Sequence, residues 1–232
     1  ENDSTKGEKK SMSFAVEVWG NYAMFTRPEF KVERYSYDVM TPSAAIGFLK
    51  AIYWDPGFEY VIDRIHVLNP IRHMNICKNE IENLKVKSGN VKRFLKDGTA
   101  MKGIDGNKNR IQRRNQVLCD VRYIIEAHVQ NTEKAHPGKT PWRTERRIVD
   151  EIAKGKCYKQ PYFGCREYTG YFAPCDEIPP CPESLRGEME FGFMLWGKDY
   201  SNQEDVHSQY FNAVLKDGVL NVPPPGSKEI IQ

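Results

Sequence analysis

Two stretches with helical spacing, each set between runs rich in β-branched and aromatic residues, constrain this chain more than any other feature. The first run, Ser13-Phe-Ala-Val-Glu-Val-Trp19, ends at Gly20 and reads as a strand. Thr41-Pro42-Ser43 then supplies a helix start, with proline in the first turn, where its missing amide costs nothing. Ala45, Phe48, Leu49 and Ile52 follow on one face, so residues 43–53 are predicted helical up to the Asp55-Pro56-Gly57 turn. Phe58–Ile71 is a long predicted strand. Residues 79–110 are polar, basic and glycine-spotted, and are expected to form a flexible insertion. Val117–Val129 is a third predicted strand, residues 142–154 a second helix ended by Gly155, and Tyr162–Tyr168 a fourth strand.

The order β-α-β-insertion-β-α-β predicts an α+β chain of ferredoxin-like type, an antiparallel sheet with both helices on one face. RNA-recognition domains share this order and bind single strands on the open sheet face. Further on, 174–187 is a loop rich in proline and acidic residues. Met189–Trp196 and Val219–Val222 read as strands, and Pro223-Pro224-Pro225 closes the ordered part. The expected organisation is a disordered segment at 1–12 and a ferredoxin-like RNA-binding domain at 13–173 carrying the basic insertion at 79–110. A small β-rich appendage at 174–225 and a tail at 226–232 complete it. Met12 is a candidate natural start, the preceding residues being polar.

Charge distribution says more than net charge, which is only +3. Between Arg72 and Arg114 stand 12 Lys/Arg against four acids, so this block carries +8 and the remainder −5. A basic block on a near-neutral chain is the footprint of a polyanion binder, and also of a solvated loop. No apolar run approaches the roughly 18 residues of a membrane span, and no segment resembles a secretory signal. The expected setting is therefore cytoplasmic and the partners exclude a membrane. The six cysteines lack any C-x-x-C pair, which argues against a zinc ribbon and for reduced thiols; Cys175 and Cys181 sit close enough in sequence to pair.

No Walker loop, G-x-S-x-G or H-E-x-x-H pattern occurs, and the five histidines are scattered, with His66 and His128 inside strand patterns. Tyrosine, lysine and histidine without a metal suit one reaction well, the cleavage of RNA by its own 2′-hydroxyl. The substrate brings the nucleophile. The protein must align it, accept its proton, stabilise the phosphorane charge and protonate the leaving 5′-oxygen. Such a reaction leaves a 2′,3′-cyclic phosphate and a 5′-hydroxyl, and the expected cofactor is none.

Several blocks carry a family resemblance: Val18-Trp-Gly-Asn-Tyr-Ala-Met-Phe-Thr-Arg-Pro-Glu29, Lys31–Ala45, Ala51-Ile-Tyr-Trp54, Val61–Ile71, Gln112-Arg-Arg114 and Gly164-Cys-Arg-Glu167. In this order they resemble the fifth CRISPR-associated (Cas) protein family, Dvulg subtype, of type I-C systems. The resemblance implies a metal-independent endoribonuclease that cuts CRISPR precursor RNA at the repeat hairpin. It implies that the protein stays on the 5′ handle of the mature guide RNA beside the other subunits of the type I-C surveillance complex. The family's catalytic tyrosine corresponds to Tyr53. Its Gly-Lys-His corresponds to Gly138-Lys139-Thr140, which leaves His136, four residues before Thr140, as the candidate proton carrier. An alternative alignment sets Arg143-Thr144 opposite that pair. Arg34, Arg113, Arg114 and Arg166 are candidates for RNA phosphates, and Tyr35, Tyr37 and Trp19 for base stacking or core packing. The replaced histidine keeps a second reading open, a non-catalytic subunit that caps the guide RNA 5′ end. A generic basic RNA chaperone is a third.

Overall fold

The computed structural model describes residues 13–30, 33–81, 88–98, 106–107, 109–200 and 206–232. In chain order its elements are β1 (Phe14–Ala23), β2 (Arg34–Tyr35), α1 (Pro42–Ile52), β3 (Phe58–Val67), β4 (His73–Ile81), α2 (Ser88–Asp97) and β5 (Arg110–Asn131). They continue with α3 (Pro141–Ala153), β6 (Tyr171–Pro174), a 3-10 turn at Glu183–Leu185, β7 (Glu188–Asp199), β8 (His207–Lys216) and β9 (Val219–Asn221). The class is α+β with a mostly antiparallel sheet. The expected disordered segment 1–12 lies outside the described residues, as does part of 79–110.

The sheet is organised by β5, which is 22 residues long. Strands run in the order β6-β1-β5-β3-β9-β8-β7, with β2 and β4 also paired to β5. From Leu118 β5 pairs antiparallel with β1, and from Tyr123 also with β3 on its other side. Before that it pairs antiparallel with β4 on one edge and parallel with β2 on the other. The C-terminal strands extend this same sheet, because β9 hydrogen-bonds to β3 at Arg64–His66.

Local signals place the two long helices. The Thr41 hydroxyl accepts the Ala44 amide at 3.2 Å, Pro42 fills the first turn, and Ala45, Phe48, Leu49 and Ile52 are buried. α3 likewise opens with a proline and buries Ile148 and Ile152. Both helices pack on one sheet face, against Phe14, Val16, Val18, Ile125 and Phe163. The alternate residues of β1 and β5, among them Glu17, Trp19, Arg122 and Glu126, face the other way. There His66 Nε2 meets Glu126 Oε1 at 2.5 Å and His128 Nδ1 meets Asp63 at 3.0 Å, so both strand histidines are partnered within the sheet.

Several expectations are corrected. Tyr162–Tyr168 is not a strand but a closed turn: Phe163 N–H donates to Tyr168 O at 2.8 Å and Tyr168 N–H to Cys165 O at 2.9 Å. Gly164 sets it, with φ +79, and a Cβ there would lie 1.8 Å from Met24 O. The strand that completes this edge is β6, paired to β1. The start and end of 79–110 are ordered, since β4 and β5 pair from His73↔Leu118 to Ile81↔Arg110 and α2 lies between them. β3 stops at Val67, where Leu68 N–H turns aside to Arg122 O, rather than at Ile71. β8 is an additional strand. Cys175 and Cys181 are free thiols, like the other four.

Candidate functional site

Two loops meet beyond the end of β5. α1 ends at Tyr53, which leaves helical geometry at φ −142 while its amide still reaches Leu49 O. Its ring stacks on Phe58, with centroids 5.9 Å apart and planes 6° apart. The Arg147 guanidinium of α3 sits over the same ring at 5.0 Å. The Tyr60 hydroxyl donates to Tyr53 O at 2.8 Å and fixes the backbone. The Tyr53 hydroxyl itself makes no hydrogen bond among the described residues. The residue as a whole is half-buried.

The β5–α3 loop folds back onto that turn. Thr132 donates its amide to Gly57 O at 3.1 Å and its hydroxyl to Pro56 O at 2.7 Å. The Asn131 amide donates to Lys139 O at 2.8 Å, and Lys139 N–H to His136 O at 3.0 Å. These bonds bring Lys139 Nζ to 3.0 Å from Asp55 Oδ2. The Asp55 carboxyl is held below its ordinary range, first by the Lys139 hydrogen bond, then by the Gly57 amide, with the charges of Lys139 and His136 adding to it. His136 is exposed on the same loop. Tyr53, Lys139 and His136, distant in sequence, thus stand on two mutually hydrogen-bonded loops. Thr140 is the residue before α3, and its side chain makes no capping bond. In the alternative alignment Arg143 is exposed but Thr144 is buried, which removes that pair from the patch.

Asp55 and Arg147 were not foreseen. Asp55 reads in sequence as a turn residue, and Arg147 as one charge among several on the exposed face of α3. Only the folded loops give either a role.

The arginine candidates lie at the other end of β5. Arg34 Nη2 and Arg113 Nε approach the two oxygens of Glu80, each at 3.3 Å. Lys78, next inward on β4, pairs with Glu167 and sits 4.6 Å over the Tyr168 ring. Arg166 is exposed on the same 164–167 turn. Arg114 alternates with Arg113 and so projects from the opposite face of the ribbon, where it is exposed. Arg113 and Asn131 stand eighteen positions apart, which corresponds to up to about 60 Å of extended strand. Of the aromatic candidates, Tyr37 is 1% exposed and its hydroxyl is pushed up to about 12 by burial, so it is a core residue and not a base platform. Tyr35 packs on Phe30 at 4.6 Å. Trp19 is exposed and stacks on Tyr171.

Residues 14–223 match the family described as CRISPR-associated protein (Cas_Cas5). A protein of Mannheimia succiniciproducens named CRISPR pre-crRNA endoribonuclease Cas5d is 41% identical over 220 residues, 93% of this chain and 96% of that one. A protein of the same name from Thermus thermophilus is 41% identical over 230 residues, 93% of each. A solved structure of a CRISPR-associated protein, 21% identical, superposes with a TM-score of 0.65 and covers 96% of this chain and 97% of that one, a likeness of fold.

Proposed function

This chain belongs to the CRISPR-associated Cas5 family, and from that premise we propose that it is a metal-independent endoribonuclease. It cuts CRISPR precursor RNA at the repeat hairpin and stays with the guide RNA in a type I-C surveillance complex. The names of its relatives, as pre-crRNA endoribonucleases, supply the substrate class. The observation that carries the reading is that Tyr53, Lys139 and His136 stand on two loops tied by two hydrogen bonds from Thr132 and by the Lys139–Asp55 ion pair.

The division of labour follows from the chemistry of these groups. The scissile phosphate sits against the Lys139 ammonium, which stabilises charge as the phosphorane forms. Asp55 holds that ammonium in place. The Tyr53 hydroxyl hydrogen-bonds the 2′-hydroxyl and aligns it for in-line attack, its ring locked by Phe58 and Arg147. His136 carries the proton: imidazole takes it from the 2′-oxygen as the new P–O bond forms, or imidazolium gives it to the departing 5′-oxygen. The guanidinium of Arg147 adds positive potential at the same patch.

Fold supports the assignment. The strand order β6-β1-β5-β3, every neighbour antiparallel, with α1 and α3 on one face, favours a ferredoxin-like RNA-binding domain over 13–173. The β7–β9 strands then form its C-terminal appendage over 174–225. Arg34, Arg113, Arg114 and Arg166 follow the RNA backbone away from the cut.

Incubating the protein in EDTA with a labelled repeat hairpin from its own genome tests this. One cut near the hairpin base, with a 2′,3′-cyclic phosphate upstream and a 5′-hydroxyl downstream, is the expected result. Tight, repeat-selective binding with no cut favours the second reading, a non-catalytic cap on the guide 5′ end. The specific feature behind that reading is Thr140, standing where the family pattern places histidine.

A further inference from the structure

The open face of the sheet carries a cavity that the proposed cleavage does not use. Glu17 and Trp19 project from β1 on the side opposite Val16 and Val18. Trp19 is in register with Tyr171 of β6, and their rings stack at 6.1 Å and 27°. Both remain exposed, Trp19 by 37% and Tyr171 by 52%. In β5, opposite Trp19, stands Arg122, whose Nε donates diagonally to Glu17 Oε1 at 2.5 Å. Beside this platform lies a cavity of about 430 Å³ lined by Glu17, Trp19, Asn21, Asn69, Asp120 and Arg122, among others. The Asn69 amide donates to Asp120 O at 2.8 Å and holds this non-glycine residue at φ 52. Backbone held in that region collects at ligand sites. The Asp120 carboxylate makes no hydrogen bond or ion pair among the described residues.

Each part selects for the same chemistry. Two adjoining exposed rings offer a stacking surface for a flat ring system. A cavity of this volume suits a small planar group. Two carboxylates against one guanidinium repel a phosphate and accept from N–H donors. We propose that the Trp19–Tyr171 platform and this cavity hold one unpaired base of the bound RNA, with guanine favoured because its N1–H and N2–H₂ meet a carboxylate side by side. The inference rests on the chain being a repeat-RNA processing protein, and it adds a base-reading site apart from the phosphate-facing arginines.

The test is a coupling experiment on the full chain. Dissociation constants are measured for repeat RNAs with an abasic unit at each unpaired position in turn. Wild type is compared with Trp19→Ala, Trp19→Phe, Asp120→Asn and Lys139→Ala, with melting curves run alongside. One abasic position should weaken wild-type binding by about tenfold, the scale of one base on one aromatic ring. Trp19→Ala should weaken intact RNA by a similar factor and abolish the abasic penalty. Trp19→Phe should keep most of that penalty, and Lys139→Ala all of it. Replacing guanine by inosine at the coupled position should cost wild type several-fold and Asp120→Asn nothing. The inference is overturned if no abasic position couples to Trp19. It is equally overturned if Trp19→Ala and Tyr171→Ala leave RNA affinity intact but weaken association with another subunit, which would make the platform a protein contact. Cleavage without such coupling sinks this inference alone. A wild-type chain that binds no repeat RNA sinks it together with the functional reading.

Discussion

The two halves of β5 are built from the same backbone and do different work. From Val117 to Val129 nine of thirteen residues are buried in the sheet, and the strand delivers Asn131 and Thr132 to the loop carrying Lys139 and His136. From Arg110 to Gln116 the strand is half of a ribbon with β4, and its three arginines and other side chains are exposed or half-covered except for the buried Asn115. One half is rigid because its apolar contacts are many and non-local. The other is held by its backbone ladder with β4 and carries ion pairs such as Arg34–Glu80–Arg113, which are worth little in water and are readily exchanged for an RNA phosphate. A buried strand end positions chemistry, while an exposed one offers charge. Catalysis and RNA holding can therefore be damaged separately.

The sharpest break comes from Lys139→Ala. Loss of the ammonium that faces the phosphorane should slow cleavage by about 10²–10³-fold, the usual scale for one electrostatic group in an active site, while repeat RNA binding changes little. Single-turnover rates and filter-binding constants on the same RNA check this. A parallel fall in affinity would mean that Lys139 belongs to the holding half.

Next in size is Gly164→Ala, which tests whether the 164–167 turn is a fixed anchor for the ribbon. The new Cβ meets Met24 O, and φ +79 is strained for alanine, so a loss of about 2–5 kcal/mol is expected. That corresponds to a melting point lower by roughly 5–15 °C.

A smaller and different signature belongs to the ribbon. Arg34→Ala with Arg113→Ala should weaken binding in a salt-dependent way. Removing two phosphate contacts should shallow the slope of log affinity against log salt by about 1.4 for single-stranded RNA. An unchanged slope would leave both arginines as partners of Glu80 and nothing more.

The smallest effect is on pH. The Asp55 carboxyl is held low, chiefly by Lys139, so its contribution is complete above the ordinary aspartate value near pH 4 and fades as pH falls through its own lower value. Wild type should exceed Asp55→Asn in stability by under about 1 kcal/mol at neutral pH, because the pair is partly exposed. The gap should close below about pH 4, as read by urea melts at several pH values.

Sequence legibility followed the same division. α1, α3 and the buried half of β5 were readable because Phe48, Leu49, Ile52 and the Val117–Val129 run must face a core, and burial imposes periodicity. The ribbon was not, because β4 turns Lys78 and Glu80 inward, where a hydrophobic pattern would be sought. The turn at Gly164 looked like a strand because Tyr162, Phe163 and Tyr168 are aromatic, but they meet through a tight turn rather than along an edge. In β8, Phe211, Ala213 and Leu215 do alternate, a period-two signal present in the sequence beside a polar approach. Of the site, Tyr53 and Lys139 came from resemblance. Nothing local joins them to Asp55 or Arg147, since the link is a loop-to-loop hydrogen-bond set formed across 76 residues between Pro56 and Thr132.

The most direct measurement is single-turnover cleavage at saturating RNA by Tyr53→Phe, set against Arg34→Ala with Arg113→Ala. Tyr53→Phe keeps the ring on Phe58 and under Arg147 and removes only the hydroxyl. The account predicts a rate down by about 10²-fold or more for Tyr53→Phe and within about threefold of wild type for the arginine pair. A Tyr53→Phe rate equal to wild type would contradict it, because the loop cluster would then not be where the RNA is cut.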